Sequence, residues 1–256
     1  MDFEYFEVGL RPERIAPASK ILRESGLKLI GQGWAKTFDE AKPYFDLAHS
    51  LGAVAINMQL GHAFMSANEA AELVAMCREY ADDSGLLCTV ETHRGCCTQD
   101  LLRTSEWLKL APDTPLCLDV SHYVVAGEGW GGNEKLFLEH LQPILANSVL
   151  IHGRIGDGES VQCAVDDDYE KGLTGRFVQI WADAMEMWLD SAEPGDVLVF
   201  EPELGPSPYA VVDSAGEEIS DRWQQTAKIT QLGKKAWEMA LNARSSQADS
   251  HRLHSL

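Results

Sequence analysis

Four apolar runs in this 256-residue sequence each end in a side chain that can hold a metal. They are LLCTVETH, delivering Glu91; LCLDVSH, delivering Asp119 with His122 three positions on; SVLIHGR, delivering His152; and DVLVFEPELGP, delivering Glu201. A short apolar run of this kind reads as a strand buried on both faces, as in a parallel sheet covered by helices. The polar side chain then stands at the carboxyl end of its strand. Three carboxylates suit a hard divalent cation, and one imidazole shifts the preference toward manganese, cobalt or zinc. A cation held this way can steady a developing enolate oxygen while a carboxylate removes the proton beside a carbonyl. A strand-end acid taken alone is ordinarily a helix cap or a surface charge. Four in succession point to one shared site.

The elements that must position these side chains alternate regularly. Apolar patterning predicts strands over 5–8, 27–32, 53–59, 86–91, 116–119, 148–152 and 197–201. Helices are predicted over 17–24, from a cap at Thr37 or Asp39 through 48, and over 67–84, 98–110, 133–141, 177–190 and 222–244. Ser66 followed by Glu69 has capping-box spacing at the start of the third helix. The irregular stretch 153–172, rich in Gly and Asp, is long enough to be a substrate lid. Strand–helix alternation argues for parallel βαβ units, and the length suits one TIM barrel of roughly 250 residues. The expected fold is therefore an α/β (β/α)8 TIM barrel. Only seven strands are visible, and because a final helix follows the seventh, the absent one should be the first. One domain is expected over 1–244, with a flexible polar tail over 245–256. A flank without a neighbouring strand would invite association into a homo-oligomer, and the natural protein is then expected to carry further N-terminal residues.

Hydrophobic residues make up 45% of the chain, enough for a sizeable core, and no apolar run approaches the ~18 residues of a membrane span. MDFEYFEVG lacks the basic and apolar regions of a signal peptide, so a cytoplasmic location and no membrane partner are expected. A net charge of −19 disfavours nucleic acid, which is bound mainly through Lys and Arg. The six cysteines form no CxxC pair and read mostly as buried thiols; adjacent Cys96 and Cys97 lie near the expected site, which leaves a reactive role as the alternative to plain burial.

VETHRG, LCLDVSH, IHGR and FEPELGP, in that order, resemble the xylose-isomerase-like TIM-barrel proteins, which include sugar isomerases and epimerases, inosose dehydratases and AP endonucleases. The resemblance covers roughly residues 3 to 243. It implies that Glu91, Asp119, His152 and Glu201 hold one divalent ion (Mn, Mg, Co or Zn), with Glu91 and Glu201 as the acid/base pair. His122 matches a histidine that contacts substrate or a further metal. The implied activity is isomerisation or epimerisation of a small sugar, polyol or sugar acid through an enediolate. The alternatives are a metal-dependent dehydratase with His122 as its acid, an AP-endonuclease-like metallohydrolase, and a sugar-binding protein without turnover. Epimerases of this family carry an acid and an arginine soon after the metal histidine; here Arg154 lies two positions on and Asp157 five. His62, His93 and His122 could supply further metal ligands, but the Asp-x-His pair of AP endonucleases is absent from its usual place.

Trp34, Gln59, His62, His93, Arg154 and Gln162 lie at or just beyond strand ends. Trp34 could stack on a sugar and Gln59 could bond its hydroxyls, against a plain reading as barrel-mouth packing. His62 and His93 have the bland alternative of solvated histidines. Arg154 has that of an ion pair with Asp157 or Asp166.

Overall fold

The computed structural model describes residues 3–126, 132–165 and 172–253, with side chains described as far as residue 246. The chain divides into two compact units, Met1–Cys117 and Leu118–Leu256. The first holds β1 (Tyr5–Gly9), α1 (Pro12–Ser25), β2 (Lys28–Ala35), α2 (Phe38–Ser50), β3 (Ala55–Leu60), α3 (Ala67–Asp83), β4 (Leu87–Glu91) and α4 (Leu101–Leu108). The strand β5 (Leu116–Leu118) carries the chain into the second unit. There follow α5 (Ser121–Val125), α6 (Glu134–Leu145), β6 (Ser148–His152), α7 (Leu173–Ser191), β7 (Val199–Glu201) and α8 (Arg222–Leu253).

Each pairing is parallel, as strands joined through helices require. In the first unit β1 pairs with β2, β2 with β3, β3 with β4, and β4 with Leu116 and Cys117. β3, AINMQL, is buried at every position, its two polar residues Asn57 and Gln59 included. In the second unit β6 pairs with β7, and the register sets His152 directly beside Glu201. The repeat is that of a TIM barrel, with seven strands among the described residues where a closed barrel has eight. No helix among the described residues is long and apolar enough to cross a membrane.

Element boundaries depart from expectation where local chemistry competes. α1 starts at Pro12 rather than at residue 17, because a proline at the first helical position gives up no needed hydrogen bond; Pro17 sits inside. Of the two candidate caps for α2, Thr37 is the one used, its hydroxyl accepting from the amide of Glu40. The Ser66–Glu69 capping box forms as read. α4 begins after Asp100, whose side chain accepts from the amide of Arg103, and not at Thr98. The Thr98 hydroxyl is engaged elsewhere: it donates to the carbonyl of Glu91 at 2.7 Å and accepts from the amide of His93 at 2.9 Å. It thereby pins the loop after β4. α6 runs on through Pro143 to Leu145, and α7 starts at Leu173. α8 reaches Leu253, past its expected end at 244, through a stretch that holds neither Gly nor Pro to stop it. The lid candidate is irregular over 153–165; residues 166–171, Asp166 among them, lie outside those described.

Two close approaches matter for the strand ends. A Cβ on Gly33 would meet Met58 Sδ at 2.7 Å and the Tyr44 ring at 2.9 Å, so glycine lets α2 lie directly on β2. In the second unit the Phe200 ring packs against Gly153 and Gly233, where a methyl group on either would collide with it. Trp181 meets the same ring edge-on, with centroids 5.2 Å apart. Phe200 thus anchors β7 from one side, and Glu201 follows it in register.

Candidate functional site

In the first unit the end of β4 presents Glu91, which is 1% exposed. Buried carboxylates need hydrogen-bond donors, and β3 supplies two from positions i and i+2 on one face of the strand. Asn57 Nδ2 donates to Glu91 Oε2 at 2.9 Å, and Gln59 Nε2 donates to Oε1 at 3.0 Å. The Thr89 hydroxyl donates to Asn57 Oδ1 at 3.1 Å, which fixes the amide with its nitrogen toward the acids. Asn57 Nδ2 also reaches Glu7 Oε1 at 3.2 Å. Gln59 is therefore a carboxylate clamp here. Trp34 carries the Arg11 guanidinium 4.8 Å from its ring centroid and lies against Gly9. His62 Nδ1 accepts from the amide of Phe64 at 3.2 Å, in an exposed turn. His93 is half-buried, with Nδ1 2.6 Å from the carbonyl of Arg94. Cys96 Sγ lies 3.9 Å from that same Nδ1. Burial, reinforced by the charge of Glu91, pushes the Cys96 thiol up to about 12, so it is no ready nucleophile.

The second unit gathers Asp119, His122, His152, Arg154 and Glu201 into one cluster with Glu203. Asp119 ends β5 fully buried. Its Oδ1 accepts from the amide of Ser121 at 3.0 Å and from the Ser121 hydroxyl at 2.5 Å, bonds that turn the chain into α5. α5, absent from the sequence reading, brings His122 Nε2 to 3.6 Å from Asp119 Oδ2. Arg154 Nε donates to that same Oδ2 at 3.0 Å, and Nη2 bonds it as well. Nη2 also donates to Glu203 Oε2 at 2.8 Å, and the guanidinium lies over the Tyr209 ring at 5.1 Å. Arg154 therefore pairs with Asp119 and Glu203, not with Asp157, whose Oδ1 is bound by the amides of Glu159 and Ser160. Gln162 makes both of its amide bonds to the backbone of Gly205, at 3.0 and 2.9 Å. It ties the 153–165 stretch to the segment after β7.

His152 is the hinge of the cluster. Its Nδ1 lies 2.9 Å from Glu203 Oε2, and its Nε2 lies 4.0 Å from Glu201 Oε2. With its proton on Nδ1, the nitrogen that faces the Glu203 carboxylate, a neutral His152 would keep the Nε2 lone pair for a metal, the usual outer-shell arrangement of ligating histidines. A separation of 4.0 Å is what two donors at ~2.0–2.2 Å from one ion can span. With both imidazoles neutral, as a metal-ligating histidine must be, three carboxylates and one guanidinium leave an excess of two negative charges, which a dication would neutralise; without a dication, protonation of His122 and His152 offsets the same excess. The donor set thus fits a divalent metal. Burial raises both Asp119 and Glu203. For Asp119 the charges of Arg154, His122 and His152 and the Ser121 hydroxyl outweigh it and hold the carboxyl below its ordinary range. For Glu203, His152 and Arg154 do the same against the repulsion of Asp119.

Sequence reasoning missed Asn57 and Glu7 in the first unit and Ser121, Glu203 and Tyr209 in the second. Glu203 had a legible signal: in EPE the two acids stand two residues apart in extended chain and so share a side.

No family model matches the chain, and no curated protein matches it. Among solved structures it is similar to a xylose isomerase-like TIM barrel protein from Mycobacterium smegmatis in complex with magnesium, at 16% identity and TM-score 0.58, over 92% of this chain and 85% of that one. It is similar to a sugar phosphate isomerase/epimerase from Parabacteroides distasonis, at 15% identity and TM-score 0.55, over 91% and 82%. A third similarity is to a Bacillus anthracis protein described as the "probable 3-DHS dehydratase AsbF", at 16% identity and TM-score 0.52, over 90% and 88%. The chain has the fold of the xylose isomerase-like TIM barrels.

Proposed function

We infer that this protein is a divalent-metal-dependent isomerase or epimerase of a small sugar, polyol or sugar acid. The observation that carries the reading is the setting of His152: Glu203 on one ring nitrogen, Glu201 facing the other across 4.0 Å. Asp119, His152 and Glu201 would hold the ion. Glu91 joins them on the strength of the resemblance and of barrel topology, in which strands end on one face. When bound, the ion supplies Lewis-acid stabilisation of the substrate oxygen that turns negative. Glu201 would take the proton from the carbon beside the carbonyl, and the C–H electron pair moves toward that oxygen to give an enediolate. Return of the proton to the former carbonyl carbon, with the hydroxyl proton passing to the former carbonyl oxygen, isomerises the substrate; a proton delivered by Glu91 in its acid form to the opposite face of the original carbon epimerises it. Glu201 is 28% exposed, within reach of substrate, while the donors on Glu91 from Asn57 and Gln59 orient its carboxylate.

Dehydration is the second reading, supported by buried His122 beside Asp119 and by the likeness to the Bacillus anthracis protein. There His122 would protonate a departing β-hydroxyl. The test is a Mn2+ titration followed by a panel of ketoses, inososes and sugar acids in deuterated water. Deuterium entering recovered sugar with conserved mass formula supports isomerisation or epimerisation. Loss of water supports the dehydratase. Metal binding with neither outcome across the panel would leave a binding protein, and no metal binding would overturn the reading.

A further inference from the structure

The cluster around Arg154 raises a question that the ligand set alone does not answer: how Asp119 could bind a cation while fully engaged. A carboxylate offers about four lone-pair positions. Asp119 uses all four, two on Oδ1 for the amide and hydroxyl of Ser121 and two on Oδ2 for Nε and Nη2 of Arg154. Ser121 is local to the turn that makes α5, so the bonds most readily surrendered are those from Arg154. Arg154 is only 2% exposed and cannot withdraw into water. It does have a second station: Glu203 Oε2 at 2.8 Å and the Tyr209 ring at 5.1 Å remain when Asp119 is given up.

We propose that Arg154 is a built-in competitor of the metal, a resident cation that occupies Asp119 in the metal-free protein and retreats to Glu203 and Tyr209 when a divalent ion loads. The inference rests on the metal reading above and adds to it a reciprocal coupling: what strengthens the Arg154–Asp119 pair weakens metal binding, and the reverse. Arg154 is in this role a positioning residue. Removing the guanidinium frees Oδ2 and leaves the buried carboxylates short of a cation, and both effects favour an added ion. Hydrogen bonds to charged groups are strong enough that their release should tighten binding by at least about tenfold.

The experiment is a Mn2+ titration by calorimetry of chelator-stripped full-length protein, wild type against Arg154→Gln, with circular dichroism to establish folding. The expected result is tighter binding by Arg154→Gln, together with a thermal transition that lies below wild type without Mn2+ and recovers with it. The gain should vanish when Asp119→Asn is added, because the freed oxygen is then no longer a carboxylate ligand. Where Arg154→Gln does not fold, Arg154→Lys decides. A lysine keeps the charge but not the planar fork that holds Asp119 Oδ2 twice, so its gain should be smaller than that of the glutamine while binding stays tighter than in wild type. Wild-type binding with no gain in the folded variant, or a gain that survives Asp119→Asn, overturns the competition alone. Absence of Mn2+ binding in wild type and variant alike overturns the metal reading with it.

Discussion

Replacing Glu203 with glutamine separates the orientation of His152 from ligation itself. One carboxylate oxygen, Oε2, accepts from Arg154 Nη2 at 2.8 Å and lies 2.9 Å from His152 Nδ1. A glutamine carbonyl can still accept, but without charge, and its NH2 group cannot accept at all. Hydrogen bonds to charged groups contribute ~1.5–3 kcal/mol each, and a weakened bond retains part of that. Glu203 is 25% exposed, so solvent screening argues for the low end, and Glu203→Gln should cost about 2 kcal/mol in all. In a chain of this size that corresponds to a fall in Tm of roughly 4–8 °C. Loss of the carboxylate on Nδ1 also lowers the basicity of Nε2, and changes at such outer partners typically cost ~10- to 100-fold in metal affinity. Thermal unfolding without metal and calorimetric Mn2+ titration measure the two effects independently. A Tm within about 1 °C of wild type together with an unchanged affinity would refute the reasoning, because Glu203 could then neither orient His152 nor hold Arg154.

Glu201→Gln should keep the fold and lower turnover by ~10²- to 10⁴-fold while substrate still binds; undiminished isotope exchange at saturating Mn2+ would remove Glu201 from the acid/base role. Asp119→Asn should lose stability by ~3–5 kcal/mol, because Arg154 is left as a buried and poorly compensated charge, and added metal should restore part of its activity; denaturant unfolding and metal titration check both. Asp119 and Glu203 are both held below their ordinary range, so the stability they contribute is complete above their unfolded values near 4 and is lost as pH falls from there toward the folded ones. Unfolding followed between pH 6 and 2 should show that loss diminish in Glu203→Gln. Cys96 should alkylate slowly at neutral pH, with a rate that rises about tenfold per pH unit, since its thiol titrates only near 12; fast labelling mapped to Cys96 by mass spectrometry would contradict its burial.

The alternation of apolar runs with amphipathic stretches was enough to read the strands, the class of fold and the four strand-end side chains. Burial on both faces leaves no choice but an apolar run, and a polar residue that ends such a run stands out. The Ser66–Glu69 box was legible for a similar reason, since it is a contact between neighbours in the chain. Partners distant in sequence were not. Asn57 looks like one residue of a core strand until β4 is laid beside β3 and its amide meets Glu91. Arg154 looked like a partner for the acids of its own loop; the fold instead sets it between Asp119, 35 positions away, and Glu203, 49 away. Which carboxylate pairs with which cation depends on the register of β7 against β6 and on the Phe200 ring packed at Gly153 and Gly233. Local periodicity carries no record of that register, because it is decided by side chains meeting across the sheet.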